Sequence, residues 1–228
     1  MPWFASGYGA ELPDNQIIDD SESLVFDTEK LKKDLIILGE ASLNIQLSSN
    51  KNFGKIATRL CEIDENGNSN LVTFGIVNLS QIRGKNINYK IKANKKYNVN
   101  IKLNHTGYIF KKNNKIRISL STSYWPMAWP LKEKFTLKIY IKNSVLKLPE
   151  KNNLKNYNSF KKPKNPLPIK NKILIQPKRQ RKIIRDLEKN DTKYFVEDYF
   201  GKIKLIQANL ITDNYTSQEY YLNEDNPL

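Results

Sequence analysis

From Ile116 to Ser121 the apolar residues Ile116, Ile118 and Leu120 alternate with Arg117, Ser119 and Ser121. A period of two puts one set of side chains on one face of an extended chain, so the stretch predicts a strand with a single buried face. The strand runs straight into Tyr124-Trp125-Pro126 and then Trp129-Pro130, which fixes two of the chain's three tryptophans to its end. Related strand signals occur at 23–26, 43–48, 55–63, 70–79, 97–103 and 134–141. Between the 55–63 and 70–79 runs, Asp64-Glu65-Asn66-Gly67-Asn68 suits a tight hairpin. It also resembles the opening of a calcium loop, but the closing glutamate and flanking helices of such a loop are missing. No segment before Pro149 has helical periodicity. Short strands separated by turns make an all-β sandwich the expected class.

Composition divides the rest. Residues 1–22 form an acidic lead-in, and across 11–30 Glu11, Asp14, Asp19, Asp20, Glu22, Asp27 and Glu29 face the single base Lys30. This lead-in is expected to lie extended over a partner surface. The sandwich is assigned to 23–148. Residues 149–181 read as a basic, Pro-rich connector, because 161–185 holds ten Lys or Arg, no acid, and prolines at 163, 166, 168 and 177. Residues 182–228 read as a β-rich extension, truncated at its end.

The formal charge of +15 points first to an anionic partner. Yet only six of the 38 basic residues are arginine, at 59, 83, 117, 179, 181 and 185, amid abundant Lys, Asn and Ile. That is better explained by biased composition than by phosphate recognition, which favours arginine. Aromatic residues for base stacking do not interleave with the 161–185 charges, so no nucleic-acid partner is expected. The lone Cys61 allows no intrachain disulfide, and neither a membrane-length apolar run nor a signal-like start is present. A cytoplasmic chain is expected, and a homo-oligomer remains open.

Catalytic chemistry has little to stand on. A Ser-His-Asp arrangement needs a histidine and a presented serine, and the chain has one histidine, His105, in what reads as a turn, and no Gly-x-Ser-x-Gly elbow. Paired metal-ligand spacing and a phosphate-binding glycine loop are also missing, so no cofactor or metal is expected. The candidate recognition residues are Tyr124, Trp125 and Trp129. Such a rim can stack on a sugar, fill an interface pocket or close one end of the core.

Taken in order, Asp19-Asp20-x-x-Ser23-Leu24-Val25-Phe26-Asp27-Thr28, Ile37-Leu38-Gly39, Arg59-Leu60-Cys61, Asp64-x-x-Gly67, Val72-Thr73-x-Gly75-x-x-Asn78-Leu79 and Ile116-Arg117-x-x-Leu120-Ser121-Thr122-x-Tyr124-Trp125-Pro126-x-x-Trp129-Pro130 carry a resemblance. Over residues 3–148 the chain resembles the C-terminal, non-catalytic domain of the Xaa-Pro dipeptidyl-peptidase (peptidase S15) and cocaine-esterase-like CocE/NonD hydrolases. The resemblance implies a jelly-roll β-sandwich of galactose-binding-like topology, attached to an α/β-hydrolase domain that holds the Ser-Asp-His triad. None of the triad has a position here, so the implied role is accessory: a rim that shapes or shields a partner's substrate pocket. Asn113-Asn114 replaces a Gly-His common in the family, and Gln81-Ile82-Arg83-Gly84 replaces a His- and Ser-rich segment. The tail from Tyr220 is similar to a later β-rich extension of longer members. The alternative is a free-standing carbohydrate-binding module that uses the tryptophan rim.

Overall fold

A computed structural model describes residues 15–84, 89–151, 169–223 and 225–226. The chain divides into two compact units, 1–154 and 155–228.

Among the described residues, the first unit runs from a five-residue helix α1 (Ile17–Ser21) through nine strands: β1 (Leu24–Asp27), β2 (Leu35–Gly39), β3 (Ser42–Ser49), β4 (Lys55–Ile63), β5 (Ser69–Asn78), β6 (Tyr97–Lys102), β7 (Thr106–Phe110), β8 (Lys115–Ser121) and β9 (Leu137–Lys147). The pairing is antiparallel throughout. One sheet has the order β1-β8-β4-β5, a second β6-β3-β9, and β2 pairs with β7. Residues 148–151 extend the β2 edge, with Leu38 N–H donating to Pro149 O and Lys151 N–H to Ile36 O. Among the described residues the unit is all-β apart from α1 and one short helical turn at Leu79–Gln81.

Alternation explains the core. Leu43, Ile45 and Leu47 of β3, Val99 and Ile101 of β6, Ile56 and Leu60 of β4, and Ile116, Ile118 and Leu120 of β8 all turn into one buried cluster with Ile37 and Phe110. Each such aliphatic side chain contributes about 1.5–3 kcal/mol on burial, so the two inner faces hold the sheets together. The β4–β5 hairpin turns at 64–68, where the Asp64 carboxylate accepts from the backbone N–H groups of Asn66 and Asn68 and from the Asn68 amide. Gly67 takes the left-handed conformation there, at φ +83°. The Asn68 contacts hold the Asp64 carboxyl below its ordinary value, and its oxygens close the turn.

Several local expectations differ from the structure. Residues 17–21 are helical and not extended, because tertiary bonds to Asp20, described below, hold the turn. β2 escapes an alternation search since Leu35-Ile36-Ile37-Leu38 is a continuous apolar run. Thr106 begins β7 directly after the turn at His105. Asn113 takes the left-handed conformation, at φ +70°, in the turn after β7, and the strands on either side of that turn enter different sheets: β7 pairs with β2, and β8 with β1 and β4. The buried Glu62 of β4 ties this corner by accepting from the Tyr108 hydroxyl at 2.6 Å and Lys111 N–H at 2.7 Å.

Among its described residues the second unit is one antiparallel sheet built on a long central strand. After β10 (Asn171–Ile175) and β11 (Lys178–Asp186) come β12 (Asp191–Leu205) and β13 (Leu210–Asn223). β12 pairs with β13 along one side and with β11 and β10 on the other. Part of the stretch read as connector is therefore sheet. Its basic side chains misled because two of them are strand residues with a partner: Arg179 and Arg181 both donate to Asp198 of β12, at 3.1 and 2.8 Å. Burial pushes the Asp198 carboxyl up, yet the two guanidinium groups hold it below its ordinary value. Residues 1–14 of the acidic lead-in and 152–168 of the connector lie outside the described residues.

Candidate functional site

β4 is the most deeply buried strand, with every residue from Lys55 to Glu62 buried. Its inner side chains meet the core. Its outer ones, Lys55, Ala57, Arg59 and Cys61, are buried because two other segments cover that face: α1 and the stretch from Tyr124 to Trp129.

Arg59 is the hinge of this cover. Its Nη2 donates to Asp20 Oδ1 at 2.8 Å and Ser23 Oγ at 3.1 Å, and its Nη1 donates to Gln16 Oε1 at 3.1 Å. Asp20, 4% exposed, also accepts from Ser119 Oγ at 2.6 Å, Ser69 Oγ at 2.6 Å and Arg117 Nη1 at 3.1 Å. Arg117 in turn grips both Asp27 oxygens, at 2.6 and 2.8 Å. A buried carboxylate is tolerated when its lone pairs are met by charged and hydroxyl donors. Its neighbour Asp19 stays exposed, 3.4 Å from Arg59 Nη1. The adjacent carboxylates thus point to different environments.

The Arg117 hydrogen bonds hold the Asp27 carboxyl below the ordinary 3.8, outweighing partial burial. A lowered carboxylate pKa adds stability above that ordinary value, and the gain is lost as pH falls through the folded-state pKa. Asp27→Asn should therefore lower the urea midpoint at neutral pH and flatten its dependence on pH in the acid range. A wild-type acid slope in that variant would refute this role.

The rim sits beside the same arginine. Burial pushes the Tyr124 phenol up, and the charges of Arg59 and Asp19 act on it in opposite directions. The Tyr124 ring lies 5.3 Å from that of Phe74, which opposes Arg59 across the β4–β5 ladder. Ala128 N–H donates to Tyr124 O at 2.8 Å, closing a small loop through the cis Trp125–Pro126 bond. The buried Lys55 ammonium donates to the carbonyl oxygen of Trp129, and desolvation lowers its pKa. Tyr124 and Trp125 are half-buried, whereas Trp129 is 47% exposed.

The structure thus brings two of the named rim residues, Tyr124 and Trp129, onto the face of β4, with Trp125 in the loop between them. It adds Asp20, Arg59, Arg117, Ser119 and Lys55, which the sequence reading did not single out as site residues. The available signal was that two of only six arginines fall on outward positions of predicted strands, downstream of an acidic lead-in. His105 is exposed between β6 and β7. Burial pushes the Cys61 thiol up to about 11, which leaves it a poor nucleophile. Among the described residues no group of His, Cys, Asp or Glu could hold a metal ion, and no helix is long and apolar enough to cross a membrane. The arrangement clamps segments to a sheet and presents one tryptophan.

Antiparallel sheets around one core, with a polar clamp and a partly exposed aromatic rim on an outer face, define an all-β domain of the sandwich class. The chain belongs to the family described as the X-Pro dipeptidyl-peptidase C-terminal non-catalytic domain, whose model matches residues 3–183. This match runs past the end of the sandwich, through β10 and into β11. Among solved structures, the chain is similar to an alpha-amino acid ester hydrolase, with 16% identity and a TM-score of 0.56 over 60% of this chain and 27% of that one. It is similar also to an aminopeptidase from a marine sediment Thaumarchaeota archaeon, with 15% identity and a TM-score of 0.55 over 62% and 29%. A CocE/NonD family hydrolase from Staphylococcus aureus matches at 15% identity over 58% and 31%, with a TM-score of 0.49. The chain spans less than a third of the length of these proteins. No curated protein matches it.

Proposed function

We propose that this chain is the accessory, jelly-roll β-sandwich of a serine hydrolase of the dipeptidyl-peptidase, esterase or acylase type. It docks on an α/β-hydrolase domain through Tyr124, Trp125 and Trp129 and helps to shape or shield that domain's substrate pocket. The reaction is nucleophilic acyl transfer from an ester or amide to water, performed by the Ser-Asp-His triad of the partner. The observation that carries this reading is the rim itself. Trp129 is 47% exposed, yet its backbone is pinned by Lys55 and its loop is closed on Tyr124. A tryptophan on an anchored backbone, with nearly half of its surface exposed, suits the centre of an interface. Membership in a non-catalytic domain family favours this reading over a free-standing sugar-binding module.

Two measurements test it. The purified chain should hydrolyse neither activated esters nor Xaa-Pro amides, and labelling by a serine-directed phosphonate would overturn its accessory character. With a photo-crosslinking amino acid at position 129, the chain in its native cell should crosslink to an α/β-hydrolase domain carrying a serine nucleophile. Crosslinks confined to other copies of this chain, or none at all, would overturn the docking assignment.

A further inference from the structure

The second sheet leaves its outer face open. The inward positions of β3 and β6 fill the core, so the even-numbered residues of β3 and their partners point outward in cross-strand rows: Lys102-Ser42-Lys147, Asn100-Asn44-Val145 and Asn98-Gln46-Tyr140, followed by the Ser48-Lys138 pair. Strands β3, β6 and β9 contain no Asp or Glu and four lysines. Among the described residues the one acid paired with a lysine of these strands is Glu40, 3.0 Å from Lys102.

Its centre is an amide ladder across three strands. Gln46 Nε2 donates to Asn98 Oδ1 at 3.0 Å, and Asn143 Nδ2 donates to Gln46 Oε1 at 3.1 Å. Tyr140 is tied to Ser48 through their hydroxyls at 3.3 Å, while the ammonium groups of Lys96 and Lys138 lie 4.3 and 5.7 Å from its ring centre. From Ser42 to Ser48 the platform extends about 20 Å, at roughly 3.3 Å per residue, with lysines at both ends.

We infer that this face binds an acidic polysaccharide. The remaining donors and acceptors of Asn98, Asn100 and Asn143 match hydroxyl groups, which both give and take hydrogen bonds. The terminal lysines match carboxylates spaced along a polymer. A single-stranded nucleic acid would need several stacking rings, and this face has Tyr140 alone and no arginine. A lipid surface would bury the amide ladder against acyl chains at a desolvation cost.

Calorimetry on the full chain separates these occupants, with polygalacturonate, polyglutamate, neutral dextran, a single-stranded oligonucleotide and phosphatidylglycerol vesicles as probes. Polygalacturonate should bind and dextran should not. The double variant Lys96→Ala/Lys138→Ala should bind polygalacturonate about tenfold more weakly, with an unchanged melting temperature. Gln46→Ala, which cuts the ladder, should weaken polygalacturonate several-fold and leave any polyglutamate binding as it was. Absence of polygalacturonate binding would overturn the inference. So would equal binding of all the polyanions or vesicles with no effect of Gln46→Ala, since that is the signature of charge alone.

Discussion

Replacing Asp20 with alanine is expected to destabilise the first unit by about 3–5 kcal/mol, the cost of breaking a buried pair by removing one partner. The carboxylate accepts from Arg59, Arg117, Ser69 and Ser119 on three strands, β4, β8 and β5. Its loss leaves the Arg59 guanidinium, with a side chain 4% exposed, on neutral Gln16 and Ser23 and on the solvent-exposed Asp19 at 3.4 Å. Arg117 suffers less because Asp27 holds it by two bonds. Helix α1 is five residues long, with no side-chain hydrogen bond at its N-cap, and a helix so short does not persist alone. It should therefore leave the sheet. All three tryptophans lie within residues 1–154, so urea unfolding followed by tryptophan fluorescence reads this unit selectively. Asp20→Asn should cost nearly as much, since an amide keeps the shape and loses the charge. The double variant Asp20→Leu/Arg59→Met should recover part of the loss, because it removes both buried charges. An Asp20→Ala urea midpoint indistinguishable from wild type would refute the clamp.

How much of this was legible in the sequence depends on which interaction fixes each element. β3, β4, β6 and β8 were placed within a residue or two at their ends because each alternates, and alternation is the mark of a strand with one face in a core. β2 was hidden since its apolar run lacks the period. α1 was hidden because its helicity comes from contacts with Arg59 of β4, Ser69 of β5 and Ser119 of β8, at sequence separations of 39, 49 and 99 residues. No local pattern records such contacts. The rim was legible by composition, as Trp and Pro cluster visibly, but its position on β4 was not: Lys55 and Trp129 are 74 residues apart and meet through a backbone carbonyl. β10 and β11 were misread for the opposite reason, since lysine and arginine in an exposed sheet look like lysine and arginine in a solvated linker until Asp198 is seen between them.

The acidic lead-in and the tryptophan rim, separate in the sequence, meet at Arg59. Asp19 and Asp20 reach it from one side, and Tyr124 is close enough for its charge to be felt from the other. A change in α1 should therefore be transmitted to the rim more readily than one in the second sheet. In the crosslinking test of docking, Asp20→Asn should weaken capture from position 129, whereas Lys138→Ala should leave it unchanged.

Gly75→Ala should produce the second large loss, about 3 kcal/mol or more, in the range of overpacked positions next to rigid backbone. Gly75 opposes Thr58 on the inner side of the β4–β5 ladder. A Cβ there would stand 2.3 Å from the backbone oxygen of Lys102 and 3.0 Å from Leu103 Cδ2. That backbone cannot move freely. Leu103 N–H donates to Ala41 O at 2.9 Å, Asn104 N–H donates to Phe74 O at 2.9 Å, and the Thr73 hydroxyl donates to Asn104 O at 2.8 Å. The chain leaving β6 is thus stitched to β5, and this closes one corner between the two sheets. A methyl group at 75 must push the strands apart and stretch those bonds. Gly107→Ala is the matched control, since its Cβ would meet only Leu38 Cδ1, at 3.3 Å, on a side chain that is itself exposed. The same fluorescence-detected urea transition should show a large shift for Gly75→Ala and a small one for Gly107→Ala. Equal shifts would mean that the corner yields, and that the close approach of the sheets at Gly75 is not what holds them in register.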